Sequence, residues 1–214
     1  MRCWADRPHR DIVAPDDQRV RSVGAPELAL LVGTRTQQNG CVRIWVIGSS
    51  GSGKSTLGRT LAQRLGCAHV ELDAIRHQAN WISLPDDELR GRIASFVADE
   101  AWVCDGNYRS FSAPILARAT DVVWLDIAKS MVMAQVISRS ILRAIGAQQI
   151  YNGNRERVSH WIDADHPIRY AWKHFDARRR DDASLTTSTE CAHTRVHRLR
   201  SRREIRDFVE TFPR

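Results

Sequence analysis

Apolar positions along this chain fall into two kinds of run. Short ones have strand length and strand composition: "VRIWVIG" (42–48), "AHVELD" (68–73), "AWVCDG" (101–106), "DVVWLD" (121–126) and "TRVHRL" (194–199). Between them, apolar residues recur at helical spacing. Leu57, Leu61 and Leu65 predict a helix that Gly66 stops. Leu89, Ile93, Phe96 and Val97 predict a second, opened by Pro85, Asp86, Asp87 and Glu88. "APILARA" predicts a short helix, "KSMVMAQVISRSILRAIG" a longer one ending at Gly146, and "HPIRYAWKHF" another. Ser201 and Glu204 have capping-box spacing ahead of Ile205, Phe208, Val209 and Phe212. Strands that alternate with helices predict an α/β domain with a mainly parallel sheet.

Residues 1–40 break the pattern. They are rich in proline and charge without apolar periodicity, which predicts a disordered extension ahead of a domain spanning 41–214. Residues 147–165 read as polar and irregular, and "ARRRDD" (177–182) as a solvated loop.

Charge changes the picture only locally. Of the net +7, nearly all lies in the C-terminal 84 residues, which carry 16 basic against 10 acidic groups. Such an excess fits a phosphate-rich partner or simply a solvated surface. Lysine occurs only at Lys54, Lys129 and Lys173, so Lys54 stands out in an arginine-rich chain. Five cysteines without C-x-x-C spacing argue against a disulfide framework or a zinc ribbon and fit a reducing compartment. No apolar run approaches the roughly 18–20 residues of a membrane helix. A soluble cytoplasmic protein with no membrane contact is expected.

Candidate chemistry begins at "GSSGSGKST". Gly48, Gly53, Lys54 and Ser55 satisfy G-x-x-x-x-G-K-[ST], placed after an apolar strand and before a helix. Glycines allow the backbone to turn so that successive N–H groups face inward as an anion nest. The helix that follows adds the positive end of its dipole. Gly48, Ser49, Ser50, Gly51, Ser52, Gly53, Lys54, Ser55 and Thr56 are therefore the expected nucleotide-binding set. Lys54 is assigned to the outer phosphates, and the Ser55 hydroxyl to Mg²⁺. No N-K-x-D or D-x-x-G switch marks a GTPase and no L-S-G-G-Q-like signature a transporter ATPase, which leaves a compact kinase.

Residues just past the strand C-termini line the ligand crevice of a parallel sheet. This places Asp73, after the second strand, at the phosphoryl acceptor, where it would orient a hydroxyl or accept its proton. His77, one helical turn on, reads as surface or packing. Asp105 ends the third strand and is the candidate metal carboxylate, with Asp126 as its rival. Asp105, Gly106, Asn107, Tyr108 and Arg109 read as a substrate-contacting turn. Among the tryptophans, Trp102, Trp124, Trp161 and Trp172 read as packing, while Trp81 is a candidate acceptor contact.

The loop, "LDAIRHQANW", "WVCDGNY" and "VVWLDIAKSMVMAQVISRSILR" together resemble the adenylate-kinase-related proteins of the topology modulation group, over roughly residues 42–206. The resemblance implies a three-layer, P-loop nucleoside-monophosphate-kinase-like fold with five parallel strands in the order 2-3-1-4-5. It also implies a helical lid, at about 146–165. Adenylate kinases carry D-G-F-P-R where this chain has Asp105-Gly106-Asn107-Tyr108-Arg109. Their following helix supplies two arginines four apart, where this chain has Gln135 and then Arg139, with Arg143 one turn beyond. Arg155 and Arg157 are the candidate lid arginines that close over transferring phosphates.

The expected function is ATP-dependent, Mg²⁺-dependent phosphoryl transfer to a nucleoside monophosphate or another small metabolite. Lys54, Asp73, Arg139, Arg155 and Arg157 form the expected catalytic set. The alternative is a nucleotide-dependent regulator that binds nucleic acid through the basic C-terminal half, for which affinity would fall steeply with salt.

Overall fold

The computed structural model describes residues 41–76, 83–144 and 167–212, with side chains left out at 143, 144 and 167. The chain divides after residue 36, and all described residues belong to the second unit. The expected extension over 1–40, the lid at 146–165, His77, Trp81, Arg155, Arg157 and Trp161 lie outside the described residues.

Five strands form one sheet: β1 (Arg43–Gly48), β2 (Ala68–Glu71), β3 (Trp102–Asp105), β4 (Asp121–Leu125) and β5 (Arg195–Leu199). Their order is β2-β3-β1-β4-β5 and every pairing is parallel. This is the predicted order. The helices are α1 (Lys54–Leu65), α2 (Leu72–Arg76), α3 (Asp86–Val97), α4 (Ser112–Leu116), α5 (Lys129–Ala144), α6 (Pro167–Thr186) and α7 (Arg202–Thr211).

The near-continuous apolar runs follow from burial of the sheet on both faces. Along β1, Ile44 and Val46 point into one core with Leu57, Leu61, Val136 and Phe175. Trp45 and Ile47 point into the other with Leu89, Ile93, Trp102 and Ile115. Each such buried side chain contributes roughly 1.5–3 kcal/mol. The Trp45 indole N–H is satisfied by donating to the Gly106 carbonyl at 3.0 Å.

The predicted stop of α1 and the predicted cap of α7 are both seen, while the predicted stop at Gly146 lies outside the described residues. Gly66 adopts φ 66°, and its N–H donates to the Ala62 carbonyl, closing α1. Ser201 accepts from the Glu204 N–H at 3.1 Å, and the Glu204 carboxylate reaches back to the Arg200 N–H at 2.8 Å.

Three expectations need correction. β2 ends at Glu71, so Leu72 and Asp73 begin α2 rather than finish a strand. "ARRRDD" is not a solvated loop but lies inside α6, which runs about three turns past the predicted helix. Its few apolar residues hid the helix, yet Ala171 and Phe175 face one core and Leu185 the other. Trp172 does not pack inside; it is 60% exposed, with the Lys129 ammonium 4.3 Å above its ring.

Three arginines of the basic C-terminal part pair with buried aspartates while their own side chains stay 40–70% exposed. Arg195 and His197 on β5 donate to Asp121, which is fully buried, at 2.9–3.0 Å. Arg179 of α6 and Arg198 of β5 donate to Asp126 at 2.6 Å each. No helix among the described residues is long and apolar enough to cross a membrane.

Candidate active site

The glycine-rich loop between β1 and α1 has the backbone that its sequence requires. Gly48, Gly51 and Gly53 adopt φ of 144°, 85° and 99°, which side-chain-bearing residues rarely tolerate. At Gly48 there is also no room, since a Cβ would stand 2.8 Å from the Leu125 carbonyl. α1 starts at Lys54 with no side-chain cap and no acidic residue in its first turn. Its N-terminal N–H groups and dipole thus face the loop without a competing carboxylate. Ser52 Oγ is buried in the loop and has no hydrogen-bond partner, which fits a site built to receive anionic oxygen.

Lys54 folds back over the loop and donates to the Ser49 carbonyl at 3.1 Å. Burial pushes its ammonium below the ordinary lysine range, while Asp73, Asp105 and Asp182 pull the other way. Lys54 therefore sits where the loop meets three carboxylates brought in by α2, β3 and α6.

Asp105 ends β3 and is 2% exposed. One of its oxygens accepts from the Ser55 hydroxyl at 3.0 Å and the other faces His69 Nε2 of β2 at 2.8 Å. With its proton turned to Asp105, the Ser55 oxygen keeps lone pairs free for a cation. The Ser55–Asp105 pair is thus a suitable oxygen donor set for Mg²⁺. His69, Glu71 and Asp105 also bring ligand-type atoms within 4.8 Å of one another, although Glu71 is ion-paired to Arg59 at 2.7 Å. Asp126, the rival carboxylate, is closed off by Arg179 and Arg198. Burial would raise its pKa, but the hydrogen bonds from both guanidiniums hold it below the ordinary carboxylate range.

The Asp105–Arg109 turn ties three elements together. Asn107 accepts from the Gly48 N–H at 3.1 Å and donates to both Asp182 oxygens at 3.2 and 3.3 Å. Its carbonyl accepts from Arg178 at 3.2 Å. Tyr108 donates to Asp73 at 2.7 Å, and burial together with that carboxylate raises its pKa strongly. Arg109 donates to the Asp181 carbonyl. Gly106, at φ 131°, lets the turn pass over Leu72, whose Cβ would lie 2.9 Å from an added Cβ.

Sequence reasoning missed α6 as a wall of the site. Tyr170, His174, Arg178 and Asp182 recur every fourth residue, which puts them on one face of the helix. Tyr170 and His174 have ring centroids 4.4 Å apart, and Arg178 donates to the Tyr170 hydroxyl at 3.1 Å. Burial raises the Asp182 carboxyl to about 6, against the pull of Lys54, Arg178 and Arg109. That four-residue spacing was the available signal, masked by reading the segment as a loop. On the other flank of the loop a cavity of about 350 Å³ is lined by Gly53, Thr56, Gln135, Arg202, Ile205 and Arg206 among others. Gln135 thus lines this cavity, and Arg139 lies one turn further along α5.

Fold and site together define a P-loop nucleotide-binding α/β protein. Within that class the chain belongs to the family described as AAA domain (AAA_33), whose pattern matches residues 44–205. A shikimate kinase from Parasynechococcus marenigrum (strain WH8102) is 29% identical over 123 residues, which are 51% of this chain and 64% of that protein. The chain thus spans somewhat less than two thirds of that curated relative. Among solved structures, a shikimate kinase from Bacteroides thetaiotaomicron aligns at TM-score 0.48 with 15% identity, covering 79% of this chain and 94% of that one. A gluconokinase from Sinorhizobium meliloti 1021 aligns at 0.46 with 18% identity, covering 81% and 90%.

Proposed function

We propose that this protein is an ATP- and Mg²⁺-dependent small-molecule kinase whose acceptor is a hydroxyl group. The observation that carries the proposal is Lys54, held between an anion-binding loop and the carboxylates Asp73, Asp105 and Asp182. A phosphate donor fits the loop side. On the opposite side Asp73, held by Tyr108, suits a neutral hydroxyl whose proton a carboxylate can take. This favours a small hydroxylated metabolite over a nucleoside monophosphate, and the likeness to a shikimate kinase supports the same choice. The resemblance of the sequence to adenylate-kinase-related topology modulation proteins does not conflict with such an acceptor.

In this reading the amides of residues 49–54 and Lys54 hold the phosphates, and the cavity at Gln135 takes the nucleoside. Ser55 and Asp105 would hold Mg²⁺, which supplies charge neutralisation on the phosphates when bound. Asp73, steadied by Tyr108, orients the acceptor hydroxyl and takes its proton as the oxygen bonds to the terminal phosphorus. The bond from that phosphorus to the bridging oxygen breaks, and ADP leaves. Arg139, with Arg155 or Arg157, would offset charge on the group in flight, while Arg109 and Trp81 would help to bound the acceptor. Catalysis rests on positioning and electrostatics.

The test is ADP release from ATP·Mg²⁺ with a panel of hydroxy acids, sugars, nucleosides and monophosphates. Stimulation by a hydroxylated acceptor, with at least a ~100-fold loss in Lys54→Ala, is expected. Equal turnover by Lys54→Ala, or stimulation by monophosphates alone, would overturn the proposal in whole or in its acceptor class. Binding to nucleic acid is not needed. Arg179, Arg195 and Arg198, part of the basic C-terminal excess, each pair with a buried carboxylate, which lessens the charge these three offer to a phosphate backbone.

A further inference from the structure

The buried carboxylate at the end of β3 has a second partner that lies outside the loop motif. His69 and Glu71, alternate residues of β2, point to the same side of the sheet, toward α1. Glu71 meets Arg59 of α1 there, and His69 meets Asp105. A carboxylate only accepts hydrogen bonds, so the imidazole nitrogen facing it carries the proton and donates. Asp105 is thereby held at both oxygens: by Ser55 from the loop side and by His69 from the neighbouring strand.

Gly58 makes that arrangement possible. It is a helical residue without a positive φ, so no backbone demand explains a glycine in the middle of α1, where it costs about 1 kcal/mol against alanine. A Cβ at that position would lie 2.6 Å from His69 Nε2 and 3.3 Å from Asp105 Oδ2. The glycine leaves the space into which the imidazole fits.

We infer that His69 is a positioning residue: it fixes the orientation of Asp105, and through Asp105 that of Ser55, for the metal that accompanies the nucleotide. The inference rests on the kinase reading and extends it to a residue that touches neither nucleotide nor acceptor. It also decides between two uses of the His69, Glu71 and Asp105 cluster. A nitrogen that donates its proton to Asp105 has no lone pair for a metal, and Glu71 is engaged by Arg59. The cluster is a brace for the site at Ser55 and not a separate three-ligand site.

The test is Mn²⁺ binding to the full chain with a non-hydrolysable ATP analogue, followed by electron paramagnetic resonance. Turnover and melting temperature are read alongside. His69→Ala should weaken nucleotide-dependent Mn²⁺ binding about tenfold, as loss of an outer-shell partner does, and leave metal-free nucleotide affinity unchanged. His69→Gln, whose amide reaches the same place as Nε2, should restore binding to within about threefold. Gly58→Ala should reproduce the His69→Ala defect, and the double variant should be no worse than either single one. Wild-type Mn²⁺ affinity in a folded His69→Ala protein would overturn the inference. So would a nucleotide-independent Co²⁺ absorption band in the wild type that His69→Ala abolishes. Lack of nucleotide-dependent Mn²⁺ binding in the wild type would sink the kinase reading as well, so the two failures are distinct.

Discussion

Asp105 and Asp126 close neighbouring strands on either side of β1, and both are buried. One meets a hydroxyl and an imidazole, the other two guanidiniums. A buried carboxylate with two arginines has its charge matched inside the protein, and its work is to join α6 and β5 to β4. A buried carboxylate whose partners are a serine and a histidine retains a demand for a cation. The C-terminal ends of the two strands that flank β1 thus carry aspartates with different partners, and the partners distinguish them.

The comparison breaks most visibly if the two sites respond alike to removal of charge. Asp105→Asn is expected to lower turnover at least ~100-fold with little change in melting temperature. Asp126→Asn should do the reverse, costing about 2 kcal/mol in denaturant unfolding while turnover stays within a few-fold. Equal stability losses at both positions would erase the distinction.

Asp182 sharpens it further, because burial there is only partly compensated. Its carboxyl is raised to about 6, so the folded state resists its ionisation. The resulting cost is present above pH 6 and absent below the ordinary carboxylate range near 3.9. Asp182→Asn, which keeps an oxygen for Asn107, should therefore stabilise the protein by about 2 kcal/mol at pH 8 and not at pH 4, as read by thermal denaturation at the two pH values. Its turnover should fall, as expected where a site holds strain for function.

Asp121 and Asp126 predict the opposite pH trend. Burial would raise both, but hydrogen bonds from His197 and Arg195, and from Arg179 and Arg198, hold them low. Their stabilisation is complete above the unfolded value near 3.9 and is lost as pH falls through the lower folded values. Acid unfolding of an Asp121→Asn variant should accordingly be less steep below pH 4 than that of the wild type. The smallest effect is expected at Ser201→Ala, about 1 kcal/mol from the lost cap of α7, measured by the same unfolding curves.

The donor half of the site was legible because it is local. The loop is nine consecutive residues whose glycines and lysine state their own geometry, and the strands on either side announce themselves by unbroken apolar runs. The proposed acceptor half was legible only in part. Asp73 and the Asp105–Arg109 turn follow from the rule that parallel strands present their C-terminal ends to a ligand. Arg178 and Asp182 did not, because each lies more than seventy residues from the turn it contacts. His69 was equally silent, as a polar residue in a short edge strand.

By itself, then, the sequence determined the alternation of parallel strands with helices, the phosphate cradle, the stop at Gly66 and the cap at Ser201, since each depends on contacts within a few residues or on burial of whole runs. The strand order followed only from the family resemblance. Tertiary structure alone decided which strand-end aspartate meets a hydroxyl and an imidazole and which is locked by arginines. It likewise decided that "ARRRDD" builds a wall of the site. Those outcomes turn on distances between side chains far apart in the chain, and charge and burial acquire their meaning only once the fold has chosen the partners.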